Sequence, residues 1–428
     1  MKFSQYNATA NTKDGIILIN VLNSNYVKIN KEEDVEHFFK IFNGEEELTK
    51  TDDMVKALYQ RGYIVDDSVN EYELAKQEIQ ERINSKSKTL NILLYVTDQC
   101  NFRCIYCPEK HEDNYLSDKH YEGLFKYIKT GVAKGKYESV EMSFFGGEPL
   151  ICADKIISFL EKLETLKKIN PNLIFCHHIT TNGYLLTPDI YDKLVTLGIK
   201  RYQITIDGFA ETHNKTRPLA GGQPSWDKII ENLKYINTKN DGAYIGIRTN
   251  YNNDNLNTLV EFKKWEQENF TNSKFEFVYE TVSKFSSIVS EELLADKYSE
   301  KTLSVDEVIN NGMNIFKKGF GICKSAYPNN YTITTDGRMA KCTNTYTLNE
   351  GLYIGYLSEE GEVVFKDSKK DWEEGFEIEA CKDCLIYPIC CARTCPAKKV
   401  LYPNERPDCS TMQEDFKKRM IHFAENKM

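Results

Sequence analysis

Residues 90–107 read LNILLYVTDQCNFRCIYC. The opening run, LNILLYVT, is apolar and partly β-branched, the make-up of a buried strand, and it leads straight into cysteines at 100, 104 and 107. A strand ending in a loop of reactive side chains is the arrangement of parallel α/β proteins, whose sites lie outside the carboxyl ends of the strands. The chain beyond repeats the pattern. DKHYEGLFKYIKTGVAKG reads as helix, ESVEMSFFGGEP as strand and loop, ADKIISFLEKLETLKKIN as helix, and NLIFCHHITTNG as strand and loop again. PDIYDKLVTLGI (helix), RYQITIDG (strand), SWDKIIENLKYINTKN (helix), AYIGIRTNY (strand), LNTLVEFKKWEQENF (helix) and KFEFVYETV (strand) continue the alternation. At least five strands therefore precede residue 285, and helical crossovers make the sheet parallel, as in an open or closed β/α barrel. The cysteine loop, FFGGEP, TTNG, TIDG and RTN all follow strands, so one edge of the sheet should carry them all.

The flanks differ. Within residues 1–88, DGIILINVLNSNYVKI reads as a hairpin around an Asn-Ser turn. EDVEHFFKIFN follows, then DDMVKALYQRGYIVDD as a helix ending in a short strand, and NEYELAKQEIQERINSKSK as a polar helix and linker. Strands beside short helices fit a small winged-helix-like α+β module; the alternative is a solvated embellishment of the next domain. A helical insertion, SVDEVINNGMNIFKKG, closes the middle region at about residue 318. Residues 319–428 abandon the alternation. YTITTDGRMAKC is a hairpin on an Asp-Gly turn, LYIGYLSEEGEVVF is read as another, and the rest is turn-rich and cysteine-rich, a composition that leans on bound metal for its fold. QEDFKKRMIHFAENK ends the chain as a modestly amphipathic helix. The domain division is thus 1–88, 89–318 and 319–428.

Of 428 residues, 41% are hydrophobic and 28% charged, an ordinary globular balance. The net charge of −9 argues against a nucleic-acid or anionic-membrane surface, though it leaves room for a local basic groove. No apolar run approaches the ~20 residues of a membrane helix. The opening MKFSQYNATANTKDG lacks the apolar stretch of a secretory signal, which places the chain in the cytoplasm, where thiols stay reduced. Eleven of the thirteen cysteines fall in two groups, 100–107 and 323–409, with Cys152 and Cys176 apart. Such clustering reads as metal ligation at more than one centre rather than as disulfides.

Three thiols close together lack the fourth ligand of an ordinary zinc site, for which His111 is the nearest downstream histidine. Soft thiolates also suit iron–sulfur clusters, and a cubane on three of them leaves one iron open. CNFRCIYC closely resembles the CxxxCxxC signature of the radical S-adenosylmethionine (SAM) superfamily, including the aromatic Tyr106 before the third cysteine. The resemblance implies that Cys100, Cys104 and Cys107 hold a catalytic [4Fe-4S] cluster whose fourth iron is chelated by SAM. One electron then cleaves SAM to methionine and a 5′-deoxyadenosyl radical that takes hydrogen from substrate. FFGGEP, residues 144–149, matches the family's GGEP loop, where Gly146 and Gly147 would let backbone approach the SAM amino group and Glu148 would accept from it. Thr181, Asn182, Thr205 and Asp207 lie where polar groups meet ribose or methionine, and Arg248 is a partner for the SAM carboxylate. A plain turn role for Thr205 stays open. The implied fold is a partial (β/α)6 TIM-like barrel over 89–318.

The second cysteine group resembles the SPASM extension of radical SAM enzymes that modify peptides and proteins. Cys323 and Gly337 are separated by thirteen residues, Gly337 and Cys342 by four, and Cys381, Cys384 and Cys390 fit the next three positions. The match then slips by one: four residues separate Cys390 from Cys395, but three separate Cys391 from Cys395. By resemblance, Cys381, Cys384, Cys390 and Cys409 bind one auxiliary [4Fe-4S] cluster, and Cys323, Cys342 and Cys395 another. Cys391 is a spare thiol, an alternate to Cys390 or a fourth ligand for the second set, which otherwise has an open iron or a non-cysteine ligand. Structural zinc is the alternative occupant.

The resemblance implies a cytoplasmic maturase of a ribosomally made precursor peptide. It would form a thioether or related oxidative crosslink, with a leader bound by the N-terminal module and an electron from flavodoxin or ferredoxin. Neither nucleic acid nor membrane is an expected partner. Sulfatase-type, formylglycine-generating maturases are the rival, but they carry an aspartate right after the cysteine that here is Cys342, and this chain has Thr343 then Asn344. Other bases would be Tyr279, Glu280, His213 or Glu211; HNKTRP, residues 213–218, either lines a substrate channel or is a solvated crossover. A non-catalytic, zinc-stapled peptide-binding protein is the third reading. It would contain no iron, against about twelve irons for three cubanes.

Overall fold

The computed structural model describes residues 1–252, 255–282, 322–343, 352–373 and 379–390, together with 396, 400, 409, 413, 414, 416–418 and 420. Two compact units emerge: Met1–Lys86 with Leu303–Pro328 and Glu373–Met428, and Ser87–Thr302 with Asn329–Trp372. The insertion SVDEVINNGMNIFKKG lies outside the described residues, as do Cys391, Cys395, Asn344 and much of the final helix.

The first unit begins with β1 (Lys2–Phe3), β2 (Asn7–Thr12), β3 (Gly15–Asn20) and β4 (Asn25–Ile29). Next come α1 (Glu32–Phe42), α2 (Asp53–Gln60), β5 (Ile64–Val65) and α3 (Glu71–Asn84). β2, β3 and β4 form an antiparallel sheet, and β1 pairs with β5. The expected hairpin is β3–β4, with Asn20 opposite Asn25 and Ser24 turning at φ 55°. Asp52 caps α2 by accepting from the Val55 amide, and Asn70 caps α3 by accepting from that of Glu73.

Side chains alternate along a strand, so β3 serves two cores. Ile16 and Leu18 pack with Phe38 and Ile41 of α1 and Val55 and Leu58 of α2. Ile17 and Ile19 pack with Tyr72, Ala75, Ile79 and Ile83 of α3 and with Cys381, Ile386, Tyr387, Ile389, Cys390 and Phe416. The polar helix expected here is present as α3, but it is packed rather than a free linker. Four of its five apolar residues, Tyr72, Ala75, Ile79 and Ile83, recur at helical spacing and face a core, with Leu74 exposed, while Glu71, also buried, accepts from Ser4 Oγ and, at 2.9 Å, from the Gln5 amide. The cysteine-rich segment likewise has an apolar anchor of its own, beyond any metal.

In the second unit the strands are β6 (Thr89–Thr97), β7 (Ser139–Gly146), β8 (Ile174–Phe175), β9 (His177–Thr181), β10 (Ile199–Thr205), β11 (Tyr244–Tyr251) and β12 (Phe275–Thr281). The helices between them are α4 (Asp118–Ala133), α5 (Ala153–Glu164), α6 (Pro188–Thr196), α7 (Ala210–Thr216), α8 (Trp226–Asn237) and α9 (Leu259–Asn269). Strands β6, β7, β9, β10, β11 and β12 lie side by side in chain order and run parallel, with β8 appended to β7. β13 (Asn330–Ile333) adds to β6 in parallel, and β14 (Arg338–Ala340), β15 (Gly355–Leu357) and β16 (Val363–Phe365) continue antiparallel. The result is an α/β core on an extended mixed sheet, which among the described residues ends at β12 and β16. Both C-terminal hairpins read from sequence are present. Gly337 turns the first at φ 81°, where a Cβ would lie 2.5 Å from the Leu357 carbonyl oxygen. No helix among the described residues is long and apolar enough to cross a membrane.

One buried group makes the stability of this unit depend on pH. Glu266 of α9 is buried; its Oε2 accepts from Tyr279 at 2.6 Å while its Oε1 has no hydrogen-bond partner among the described residues. Burial pushes its carboxyl up to about 8, against the opposing pull of the Tyr279 hydrogen bond and the Lys263 ammonium. The folded value lies above the unfolded value of 4.5, so between the two the native state holds the extra proton. Stability from this group is complete below 4.5 and is lost as pH rises through 8, at about 1.4 kcal/mol per unit inside that window. Urea denaturation of Glu266→Gln from pH 5.5 to 8.5 should show that slope removed and the variant gaining on the parent as pH rises. Parallel profiles would contradict the assignment.

Candidate active site

The loop after β6 is clamped from both sides by backbone. The Gly147 amide donates to Thr97 O at 3.0 Å and the Glu148 amide to Gln99 O at 2.8 Å. This approach leaves no room for side chains. A Cβ on Gly146, whose φ is 133°, would lie 2.1 Å from Thr97 O, and one on Gly147 would lie 2.2 Å from Gln99 O. The glycine pair thus has a packing requirement of its own. On the other flank the Arg103 amide donates to Pro218 O (2.9 Å), that of Ile105 to Thr216 O (3.0 Å) and that of Ala220 to Asn101 O (2.8 Å). HNKTRP is therefore no solvated crossover; it braces the cysteine loop along its length.

A buried carboxylate ties the second and third strand ends together. Glu148 Oε1 accepts from the Leu150 amide at 3.0 Å and Thr181 Oγ1 at 2.6 Å, and Oε2 accepts from the Asn182 amide at 2.7 Å. Burial raises its pKa, and these three donors oppose the shift. Asn182 Nδ2 in turn donates to Asn101 Oδ1 at 2.7 Å, inside the cysteine loop. Glu148, Thr181 and Asn182, singled out separately in sequence, form one network.

Tyr106 is the centre of a second network. Its hydroxyl accepts from Arg217 Nη1 at 2.7 Å and from Asn250 Nδ2 at 3.1 Å, both groups that can only donate, so its own proton goes to Asp207 Oδ2. Asp207 also accepts from Thr216 Oγ1 at 3.3 Å and from the Asn250 amide at 3.0 Å. Arg248 Nε donates to Asn250 Oδ1 at 2.9 Å, and Thr205 sits beside Arg248 in the β10–β11 register. Arg217, Asn250 and Asn101 were missed in sequence. Only the placing of HNKTRP and RTN after strands hinted at two of them.

The four bases considered earlier have other surroundings. His213 is buried, its Nδ1 accepts from the Asp207 amide at 3.2 Å, and burial followed by the Arg217 charge drives its pKa well down. Glu211 pairs with Lys215 in solvent, Tyr279 donates to Glu266, and Glu280 is exposed.

Residues 94–263 match the model of the Radical SAM superfamily. This stretch is a radical SAM core. Over 191 residues the chain is 31% identical to GTP 3′,8-cyclase of Clostridium botulinum, covering 42% of this chain and 55% of that enzyme. It is 26% identical over 321 residues to GTP 3′,8-cyclase of Nautilia profundicola, covering 66% and 92%. The chain thus spans about half the length of the clostridial relatives it matches. In fold it is similar to native anSMEcpe with bound AdoMet and Kp18Cys peptide, at TM-score 0.55 and 17% identity over 79% of this chain and 100% of that one.

Use of SAM and iron–sulfur chemistry goes with a radical SAM core. The donor set in this one fits it. Burial pushes the Cys100 thiol up to about 12 and the Cys107 thiol up to about 11, and raises that of Cys104; Cys104 also raises the other two. Three thiols placed this close do not ionise readily without a cation, and bound iron supplies one. Among the described residues, no three Cys, His, Asp or Glu side chains converge tightly enough to hold a metal ion as they stand.

The other candidate ligands are spread over both units. Cys342 follows β14 in the unit of the radical SAM core and is half-buried. Cys323, exposed, accepts from Ser325 Oγ at 3.1 Å in the first unit. Cys381, Cys384 and Cys390 line the α3 core, and Cys384 and Cys409 both act on the Cys381 thiol, which burial chiefly pushes up to about 11.

Proposed function

We propose that this protein is a radical SAM maturase that forms an oxidative crosslink, thioether or similar, in a ribosomally made precursor peptide. The supporting observation is the joining, at one edge of the sheet, of the cysteine loop, the GGE loop and the ends of β9, β10 and β11 through Glu148 and Tyr106. Cys100, Cys104 and Cys107 would hold the SAM-binding [4Fe-4S] cluster in a partial (β/α)6 barrel. Once bound, that cluster and SAM would supply one-electron cleavage of SAM and hydrogen-atom abstraction. Glu148 and Asn182 position the loops, the Gly146–Gly147 backbone would approach the SAM amino group, Thr205 would meet ribose or methionine, and Arg248 is the candidate for the carboxylate.

A crosslink removes two hydrogens from the peptide. One leaves as an atom to the SAM-derived fragment and one as a proton, and the remaining electron needs an acceptor. Auxiliary clusters at Cys381, Cys384, Cys390 and Cys409, and at Cys323, Cys342 and Cys395 with Cys391 in reserve, would take it. Flavodoxin or ferredoxin would supply the initiating electron. Residues 1–88, as a winged-helix-like module, would take the leader as an added strand on β4, which among the described residues pairs with β3 alone. The peptide bound in anSMEcpe supports a peptide substrate. Kinship with GTP 3′,8-cyclases supports a second reading, a nucleotide substrate.

Anaerobic incubation with SAM, reductant and the precursor peptide encoded beside the gene should yield 5′-deoxyadenosine and a peptide lighter by two hydrogens. Peptide unchanged in mass while GTP is consumed would replace the maturase reading with the nucleotide one.

A further inference from the structure

The maturase reading assigns no role to Arg217, yet this side chain is the buried cation of the site. It is 7% exposed, and its Nη1 donates to the Tyr106 hydroxyl at 2.7 Å. Its guanidinium carbon stands 5.8 Å from the centre of the Phe102 ring, so it lies between two residues of the cysteine loop itself. Its carbonyl is held by Ser225 Oγ at 2.7 Å and its amide donates to His213 O at 2.8 Å, which fixes the backbone it hangs from. Its Nε is buried with no hydrogen-bond partner among the described residues. A guanidinium taken out of water with one N–H unmatched is costly, and such a group is retained where an anion belongs beside it.

We propose that Arg217 is a positioning residue for the cysteine-loop cluster: it locks Tyr106 in place and, as a fixed positive charge held against Tyr106 and Phe102 of that loop, makes the cluster easier to reduce. The inference rests on Cys100, Cys104 and Cys107 binding a [4Fe-4S] cluster. Reduction adds one negative charge to a centre already anionic through three thiolates, and a fixed cation at short range in a low-dielectric setting favours the more negative state. Asp207, the acceptor of the Tyr106 hydroxyl, opposes it. Burial raises the pKa of this carboxyl, and the Arg217 charge with the hydrogen bonds it accepts from Tyr106, the Asn250 amide and Thr216 pulls the other way, towards the carboxylate. Removing the two charges should therefore move the potential in opposite directions.

The experiment is an EPR-monitored redox titration of the anaerobically reconstituted full-length protein, with iron and sulfide assayed in parallel. The signal of interest is the one lost in C100A/C104A/C107A. Arg217→Gln should lower its reduction equilibrium at least tenfold, about 59 mV for one electron. Asp207→Asn should raise it, and Arg217→Lys, which keeps the charge, should stay within threefold of the parent. If Arg217→Gln binds iron normally and titrates within threefold of the parent, the proposal is wrong while the maturase reading stands. If Arg217→Gln loses the cluster, Arg217→Lys and Asp207→Asn still decide: an unshifted Asp207→Asn overturns it. If C100A/C104A/C107A loses no signal at all relative to the parent, both are overturned.

Discussion

Alanine at Cys100, Cys104 and Cys107 together should reduce 5′-deoxyadenosine formation to background while leaving the protein folded. Cys100 is buried and the other two are half-buried, and each substitution deletes a single sulfur atom. The loop itself is held by backbone: its flanking hydrogen bonds run from Gly147 and Glu148 on one side and to Pro218 and Thr216 on the other. The hydroxyl of Tyr106 also stays anchored to Asp207, Arg217 and Asn250. Loss of SAM cleavage would then report loss of the ligands rather than of the fold. Iron should fall from about twelve to about eight per chain, because the auxiliary ligands lie elsewhere in sequence. Iron and sulfide analysis beside a product assay checks both numbers. Continued production of 5′-deoxyadenosine by the triple variant would sink the assignment.

The parallel core was legible because its signal is local. LNILLYVT, the helix beginning at Asp118 and the strand ending in FFGG each carry their own periodicity, and a loop that follows a strand must emerge at the same edge as its neighbours. The cysteine trio was legible for a similar reason, since its spacing is contained in eight residues. What sequence could not show is which polar residues meet. Nothing local says that Asn182 reaches Asn101, or that Arg217 lies on the Tyr106 hydroxyl across 111 positions of chain. Such pairs depend on how crossovers return, and a polar loop residue reads the same whether it faces water or a buried partner.

That α3, read correctly as a polar helix, also packs into a core went unseen for a different reason. Its average character is polar, since Glu, Gln, Lys and Arg fill most of NEYELAKQEIQERINSKSK. Four residues suffice to bury one stripe of a helix this long, and what they pack against is distant in sequence: the strands of residues 6–21 and the segment 381–390. The same packing changes the view of the cysteine-rich region. Tyr72 and Tyr387 pack ring against ring at 5.0 Å, so the segment between Cys381 and Cys390 is seated by apolar contact as well as by any cluster it holds.

Glu148→Ala should be the most destabilising single change at the site, by about 2–6 kcal/mol. The carboxylate is wholly buried and serves two backbone amides, Leu150 and Asn182, as well as the Thr181 hydroxyl. Leaving a buried donor without an acceptor costs roughly 1–3 kcal/mol, and alanine leaves both amides so. The conservative variant makes the test sharper. Glutamine has one oxygen and one NH2 where glutamate has two acceptors. If its nitrogen replaces Oε2, the Asn182 amide faces a donor; if it replaces Oε1, the Leu150 amide does. Either way one amide is lost, so Glu148→Gln should fall between parent and alanine, about 1–3 kcal/mol down. Urea denaturation of the three proteins at one pH gives the order directly. Because Asn182 also holds Asn101, both variants should bind less iron at the cysteine loop than their stability loss alone would suggest. Equal stability of Glu148→Gln and parent would mean that the carboxylate is present for the cofactor rather than for the loops, and that the glycine–glutamate motif needs a different account.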